Sequence, residues 1–351
     1  MLNIKWVDTW ARRTSLECPF MFYIGGRGVG KTFSYLKGHR EAFHAGRAGK
    51  IIYMRLTESE LSRACRPDKN PYKKINEKCG FNIELKKHGE DATIIDHTDD
   101  GDVVIGSAMA LSTFYNQRGV DFSDFTDIYF DEFIPNKYAR RTPAVKEAGA
   151  LFVEAYETAN RNREFEEENG KPIYCVFTAN AFSLDSSILR RFKVNAAVEH
   201  MQETGQMRYR SPARGVYVEL CESKEIADLK RNTALYRAIG DDDELAVINL
   251  ENKFTDYALS LVNKKVAIKE YRPLVYVSGI TIYSHKSRDF LYIAKRYETA
   301  PSMYGDNELQ KFYNTWYTLI VTHIADRLAE FDSTATYYEL QSLFDTGKAS
   351  R

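Results

Sequence analysis

Gly25-Gly26-Arg27-Gly28-Val29-Gly30-Lys31-Thr32 is the stretch whose reading decides the fold. It fits G-x-x-x-x-G-K-[ST], the phosphate-binding loop. Before it runs Phe20-Met21-Phe22-Tyr23-Ile24, a short apolar run rich in strand formers, and residues 33–43 after it can continue as a helix. Glycines let the backbone curl so that successive N–H groups point at one anion, and the helix N-terminus adds its positive end. In that arrangement Lys31 reaches the β/γ-phosphates and the Thr32 hydroxyl ligates Mg²⁺. The bland alternative, a glycine-rich turn matching by accident, does not explain a strand before and a helix after. The expectation is a nucleoside-triphosphate site on an α/β scaffold.

Bulk properties narrow the class. At 351 residues the chain has room for two domains. Apolar content of 44% and charged content of 28% are those of a soluble globular protein. No apolar run approaches the ~20 residues needed to span a membrane, and the N-terminus lacks a signal-peptide core. The five cysteines are scattered without a C-x-x-C pair, as expected of free thiols in a reducing cytosol rather than of a zinc site. Formal net charge is zero, so any nucleic-acid contact must come from a local basic surface. The 23 tyrosines and 20 phenylalanines read as core and interface filling before base stacking.

Residues 6–16 look like a short amphipathic lead-in able to cover a sheet edge. Lys50-Ile51-Ile52-Tyr53-Met54-Arg55 is a buried strand ending in a positive residue. Strand, loop, helix and strand at this spacing make a βαβ unit, so the sheet is at least partly parallel. Thr57 is placed as an N-cap with Glu60 as its capping-box partner. Residues 65–80 read as an exposed polar loop. Residues 81–87, 92–96 and 103–106, separated by glycine-containing turns, read as short antiparallel strands forming an insertion or edge hairpin.

Phe125-Thr126-Asp127-Ile128-Tyr129-Phe130-Asp131-Glu132 is an apolar strand ending in two carboxylates. Beside a phosphate loop, Asp131 would hold the Mg²⁺ shell and Glu132 would orient and deprotonate the attacking water; by itself the same pattern is an ordinary strand end with solvated acids. A helix is expected from Thr142, with Val145, Ala148, Phe152, Ala155 and Ala159 on one face, closing in Asn160-Arg161-Asn162-Arg163-Glu164. Ile173-Tyr174-Cys175-Val176-Phe177-Thr178-Ala179-Asn180 follows as another buried strand. A loop-bearing strand, then a strand ending Asp-Glu, then one ending Thr-x-Asn is the layout of the additional-strand, catalytic-glutamate branch of P-loop NTPases. In that branch the extra strand sits between the other two, and Asn180 becomes a γ-phosphate sensor. Taken by itself, an Asn in this position fits a bond to its local turn nearly as well. The arginines of Arg161-Asn162-Arg163 either stabilise a phosphoryl group on a neighbouring subunit or complement a helix dipole.

Residues 200–243 are polar, with a helical segment at 222–240 and bases at Arg208, Arg210, Arg214, Lys224, Lys230 and Arg231; they read as a linker. The bases form a solvated face or a contact for a nucleic-acid backbone. Beyond it, 246–251, 265–269, 274–283 and 289–297 read as strands and 307–329 as a long helix, a second α/β domain without its own phosphate loop.

Taken together, these stretches resemble the DNA-encapsidation ATPase family of small podoviruses, genome-packaging motors of the phi twenty-nine type. The likeness is carried by the phosphate loop, Ile52-Tyr53-Met54-Arg55, Phe130-Asp131-Glu132-Phe133-Ile134, Asn160-Arg161-Asn162-Arg163-Glu164 and the strand ending at Asn180. The resemblance implies an ATPase domain at 1–199, a linker at 200–243, and a C-terminal domain at 244–351 resembling an RNase H-like nuclease without its activity. It implies ATP and Mg²⁺ as cofactors, a homopentameric ring on the portal of an empty prohead in the host cytoplasm, and double-stranded DNA as substrate. A structural prohead RNA joining ring to portal belongs to the same picture. By the same resemblance Arg161 matches a trans-acting arginine finger. Arg118 stands where the family has a second trans-acting base, a lysine. Asp256 and Asp289 are isolated acids on the C-terminal segment, in keeping with a vestigial nuclease. Two rivals remain at this level: another ring ATPase of the same branch, serving DNA transfer or phage assembly, and a nucleotide-binding regulatory protein or small-molecule kinase.

Overall fold

The apolar runs become strands of one large sheet. In the computed structural model, which describes residues 6–16, 18–26, 28–135, 142–166, 170–180, 184–240 and 257–349, the chain forms two compact units, 1–255 and 256–351. Among the described residues no helix is long and apolar enough to cross a membrane.

The first unit contains β1 (Phe20–Gly25), β2 (Lys50–Arg55), β3 (Ile83–His88), β4 (Asp91–Thr98), β5 (Gly101–Ala110), β6 (Phe125–Asp131), β7 (Tyr174–Ala179), β8 (Arg208–Ser211) and β9 (Val216–Cys221). Their order is β3-β4-β5-β2-β6-β7-β1-β9-β8. From β5 to β9 every neighbouring pair is parallel. The central strands are buried on both faces, which is why they read as unbroken apolar runs. At the two ends, β3 and β8 pair antiparallel with their neighbours. There the alternation of buried and exposed residues along β3 and β4 marks one solvated face. β7 lies between β6 and β1, so the additional strand occupies its expected place.

Aromatics sort by face because strand side chains alternate. Phe22 stacks on Phe177 with ring centroids 4.4 Å apart, and Phe152, from the helix Ala148–Asn160, meets Phe177 at 4.8 Å. On the opposite face Tyr129 stacks on Tyr35 of the helix Lys31–His44 at 5.1 Å and lies 6.2 Å from Tyr53. Burying a phenol is favourable only if its hydroxyl finds a partner, and two of these hydroxyls find theirs in the site described below.

Several expectations are corrected. The lead-in forms the helix Thr9–Ser15 with Asp8 as its cap, but it covers a face rather than an edge: Arg13 makes a buried bidentate pair with Asp127 on central strand β6, at 2.5 and 2.8 Å. The expected loop at 65–80 contains the helix Lys73–Cys79. The capping box of Thr57 and Glu60 is present. The helix expected from Thr142 is broken into Pro143–Lys146 and Ala148–Asn160. Residues 208–221, expected within a linker, extend the main sheet as β8 and β9. The cause is a close approach: β9 lies so tightly beside β1 that a Cβ on Gly25 would stand 2.2 Å from the Cys221 carbonyl oxygen, and Glu219 of β9 is buried in ion pairs with Arg12 and Arg208.

In the second unit β10 (Tyr271–Val277), β11 (Ile280–His285) and β12 (Leu291–Ala294) form an antiparallel meander; β13 (Ser302–Tyr304) adds parallel to β10 and β14 (Ala329–Phe331) parallel to β12. The run read as one strand at 274–283 is a hairpin, turned at Ser278 (φ 43°) and Gly279 (φ 91°) as a two-residue loop requires. The strand expected at 265–269 is absent, replaced by a short 3-10 turn at Ile268–Glu270. The long helix stops at Ala325, and a second helix, Thr334–Ala349, packs on it through Phe312 and Phe344. The strand expected at 246–251 and the isolated Asp256 lie outside the described residues.

Candidate nucleotide-hydrolysis site

The site forms where the parallel strands end, the usual place for a ligand on an open α/β sheet. β1 runs into the loop, and the loop into the helix Lys31–His44, whose first residue follows Gly30 at φ 99°, a backbone conformation that strains any side chain. Lys31 is buried, and its ammonium donates to the carbonyls of Gly25 and Gly26, both at 2.9 Å. Burial lowers its pKa, against the opposing pull of Cys221, Asp131 and Glu132. A cleft of about 890 Å³ opens beside the loop, lined by Trp6, Val7, Gly28, Gly30, Thr32 and Lys78 among others, ample for a nucleotide. Arg27 lies outside the described residues.

Asp131 ends β6 and gathers four donors from three elements, the helix Lys31–His44, β7 and β2. Thr32 Oγ1 lies 3.4 Å and Thr178 Oγ1 2.9 Å from its Oδ1, Tyr53 OH 3.0 Å from its Oδ2, and the Arg55 guanidinium 3.4 Å from Oδ2. Tyr129 shares the Thr178 hydroxyl at 3.0 Å. Burial first, then the nearby Asp131 charge, pushes the Tyr53 and Tyr129 hydroxyls well above their ordinary range, so both stay protonated. Glu132 follows at φ 52° with its side chain half exposed and pairs with Arg55 Nη2 at 2.7 Å. A glutamate in the left-handed region is unusual and stores strain; here it turns the chain out of the strand line and leaves the second carboxylate exposed, paired with Arg55. Burial works against the Arg55 charge, but Tyr53, Asp131 and Glu132 outweigh it and hold the guanidinium firmly protonated.

Asn180 is half-buried immediately beyond Ala179, which pairs with Ile24, so the structure brings it level with the start of the loop. Arg118 and Arg161 are not brought there. Arg161 is exposed at φ 42° and donates to the Val120 carbonyl, two residues past the exposed Arg118. That edge adjoins the start of β6, whose seven residues put it roughly 20 Å from Asp131 at ~3.3 Å per residue. Arg163 is a structural residue, donating to the carbonyls of Phe122, Ser123 and Phe125. Sequence reasoning missed the roles of Arg55, Tyr53 and Thr178 at Asp131. The available signal was the position of each at the carboxyl end of a strand in the parallel sheet.

The loop, the strand order and the paired acids define a P-loop NTPase of the additional-strand type. The family model for podovirus DNA encapsidation protein (Gp16) matches residues 12–305, and the chain belongs to that family. No curated protein sequence matches the chain. Among solved structures, the bacteriophage Phi-29 viral genome packaging motor assembly is similar at a TM-score of 0.64 and 15% identity, covering 97% of this chain and 99% of that one. The Phi-28 gp11 DNA packaging motor is similar at a TM-score of 0.61 and 15% identity, covering 97% and 96%. At such identities the likeness establishes a shared fold along nearly the whole chain.

Proposed function

We propose that the protein is an ATP-driven translocase that packages double-stranded viral DNA into a preformed prohead, working as a homomeric ring with active sites shared between subunits. One observation carries the reading: Lys31, Thr32, Asp131 and Glu132 converge at one end of the sheet, while Arg118 and Arg161 are presented together at the other end, out of reach of their own site.

In this reading the loop glycines and Lys31 bind the β- and γ-phosphates, Lys31 exchanging two backbone carbonyls for phosphate oxygens. The residues present fit Mg²⁺: Thr32 and Asp131 offer adjoining oxygens of the hard type it prefers. When bound there it neutralises charge on the β- and γ-oxygens. Thr178, Tyr53 and Arg55 fix the orientation of Asp131. Glu132, released from Arg55, takes a proton from the attacking water, and Asn180 contacts the γ-phosphate. Arg161 of a neighbouring subunit, seconded by Arg118, stabilises the transferring phosphoryl group. DNA, the prohead portal and a structural RNA are the proposed partners, in a ring of five acting in the host cytoplasm. A grip through phosphates tolerates any DNA sequence and weakens steeply with salt.

The second unit is proposed to be an RNase H-like domain without nuclease activity. In support, its Asp289 is engaged by His323 at 2.9 Å.

The test combines proheads, DNA and ATP. Wild-type protein should render DNA nuclease-resistant, and Glu132→Gln should not. Mixtures of Glu132→Gln and Arg161→Ala subunits should regain ATPase activity above either variant alone. No regain in mixtures defeats the shared-site model, and ATPase activity indifferent to DNA and proheads defeats the motor reading.

A further inference from the structure

We propose that Lys230 is a second cation of the triphosphate site acting within the same chain, carried to the phosphate loop by the helix that follows β9. The inference rests on reading Gly25–Thr32 as the triphosphate site and adds a phosphate-binding residue to it.

The backbone brings this helix to the loop. β9 pairs with β1 so that Cys221 stands opposite Gly25, the first residue of the loop, and their contact leaves no room for a Cβ on Gly25. Two residues later Ser223 caps the helix Lys224–Arg231, its hydroxyl accepting from Ile226 N at 3.3 Å. Ile226 and Ala227 are buried, and Ile226 belongs to the same apolar cluster as Cys221 and Val29 of the loop itself. Lys230 is four residues past Ile226 and three past Ala227, which places it on the same helical face. It is half-buried, while Lys224, Asp228 and Leu229 are exposed. The bases of this segment, open in sequence between a solvated face and a nucleic-acid contact, are thus separated: Lys224 is exposed and Lys230 lies on the buried side of the helix, with Ile226.

The electrostatics agree with that placement. Burial is the main influence lowering the Lys31 pKa, and Lys230 is the cation that adds to it. The two ammonium groups repel each other. A triphosphate held between them converts that repulsion into two attractions, in a site where low exposure strengthens both. Affinity should therefore depend on Lys230 more steeply for ATP than for AMP.

The test measures binding of a fluorescent ATP analogue with Mg²⁺ to the full chain, together with thermal melting with and without ATP. Lys230→Ala should weaken ATP binding about tenfold, Lys230→Arg should keep most of the affinity, and Lys224→Ala should bind as wild type. Melting without nucleotide should stay within about 2 °C for all three, while the ATP-induced rise shrinks for Lys230→Ala alone. Unchanged ATP affinity in Lys230→Ala overturns the inference. So does a matching loss of nucleotide-free melting temperature, which marks a packing role. Lys31→Ala separates this inference from the reading beneath it: if Lys31→Ala abolishes ATP binding and Lys230→Ala does not alter it, only the inference fails. If Lys31→Ala binds ATP normally, the site reading fails.

Discussion

Arg55→Ala probes the site where its geometry is best defined. Arg55 lies 2.7 Å from Glu132 and 3.4 Å from Asp131, with a side chain 12% exposed. At an effective dielectric near 20 those separations correspond to about 6 and 5 kcal/mol of gross attraction. Much of this is offset by desolvating the guanidinium. Glu132 is 52% exposed, so its arm should contribute at most ~1 kcal/mol net. Asp131 is 15% exposed but keeps Thr32, Thr178 and Tyr53 as donors, so removing Arg55 does not orphan it, and that arm should be worth about 2 kcal/mol. The expected loss is ~2–3 kcal/mol, or roughly 4–10 °C in the melting of the first unit. A double-mutant cycle with Glu132→Gln in urea should return a coupling of ~0.5–1 kcal/mol. ATPase activity should fall in Arg55→Ala, because the positioning of both acids is lost, and recover in part in Arg55→Lys. A coupling of zero, or melting within 1 °C of wild type with full activity, would refute the view that Arg55 organises both carboxylates.

Three further outcomes follow from the same geometry. Gly25→Ala sets a Cβ 2.2 Å from a backbone oxygen of β9, and because neither strand can yield, it should cost about 3 kcal/mol or more and reduce soluble expression, measured by urea melts of whatever folds. Arg163→Ala abandons three carbonyls and should destabilise by ~2–3 kcal/mol, whereas Arg161→Ala should change stability by less than ~1 kcal/mol and act on ring ATPase activity; equal stability losses would contradict the division of labour. In the second unit burial opposes, but the Asp289 hydrogen bond prevails in raising, the His323 pKa. A raised folded value means the contribution is complete below the ordinary ~6.5 and is lost as pH climbs through the folded value. The stability gap between wild type and Asp289→Asn should therefore be larger at pH 5.5 than at pH 8.5 in urea titrations.

Much of this site was legible in order along the chain. The phosphate loop, the Asp131-Glu132 strand end, the strand running to Asn180 and the capping box at Thr57 are local patterns, decided by residues within a few positions of one another. Buried parallel strands also declare themselves, because burial on both faces demands unbroken apolar runs, as in β1 and β7. β8 escaped because an edge strand with alternating arginines looks like a solvated face. The hairpin at Ser278-Gly279 escaped because apolar residues continue across the turn.

What tertiary structure alone decided is the pairing of residues distant in sequence. Arg55 meets Glu132 across 77 positions and Thr178 meets Asp131 across 47, and only strand order places them side by side. Neither local propensity nor hydrophobic period encodes that order. Of the two arginines in Arg161-Asn162-Arg163, sequence named both and packing chose: Arg163 is committed to backbone carbonyls, and Arg161 is left exposed on an edge its own nucleotide site cannot use. The phosphate loop and paired acids were set by short-range chemistry, whereas the orientation of those acids and the placement of Arg161 beside Val120, at the far end of β6, arise from through-space contacts that the linear chain does not contain.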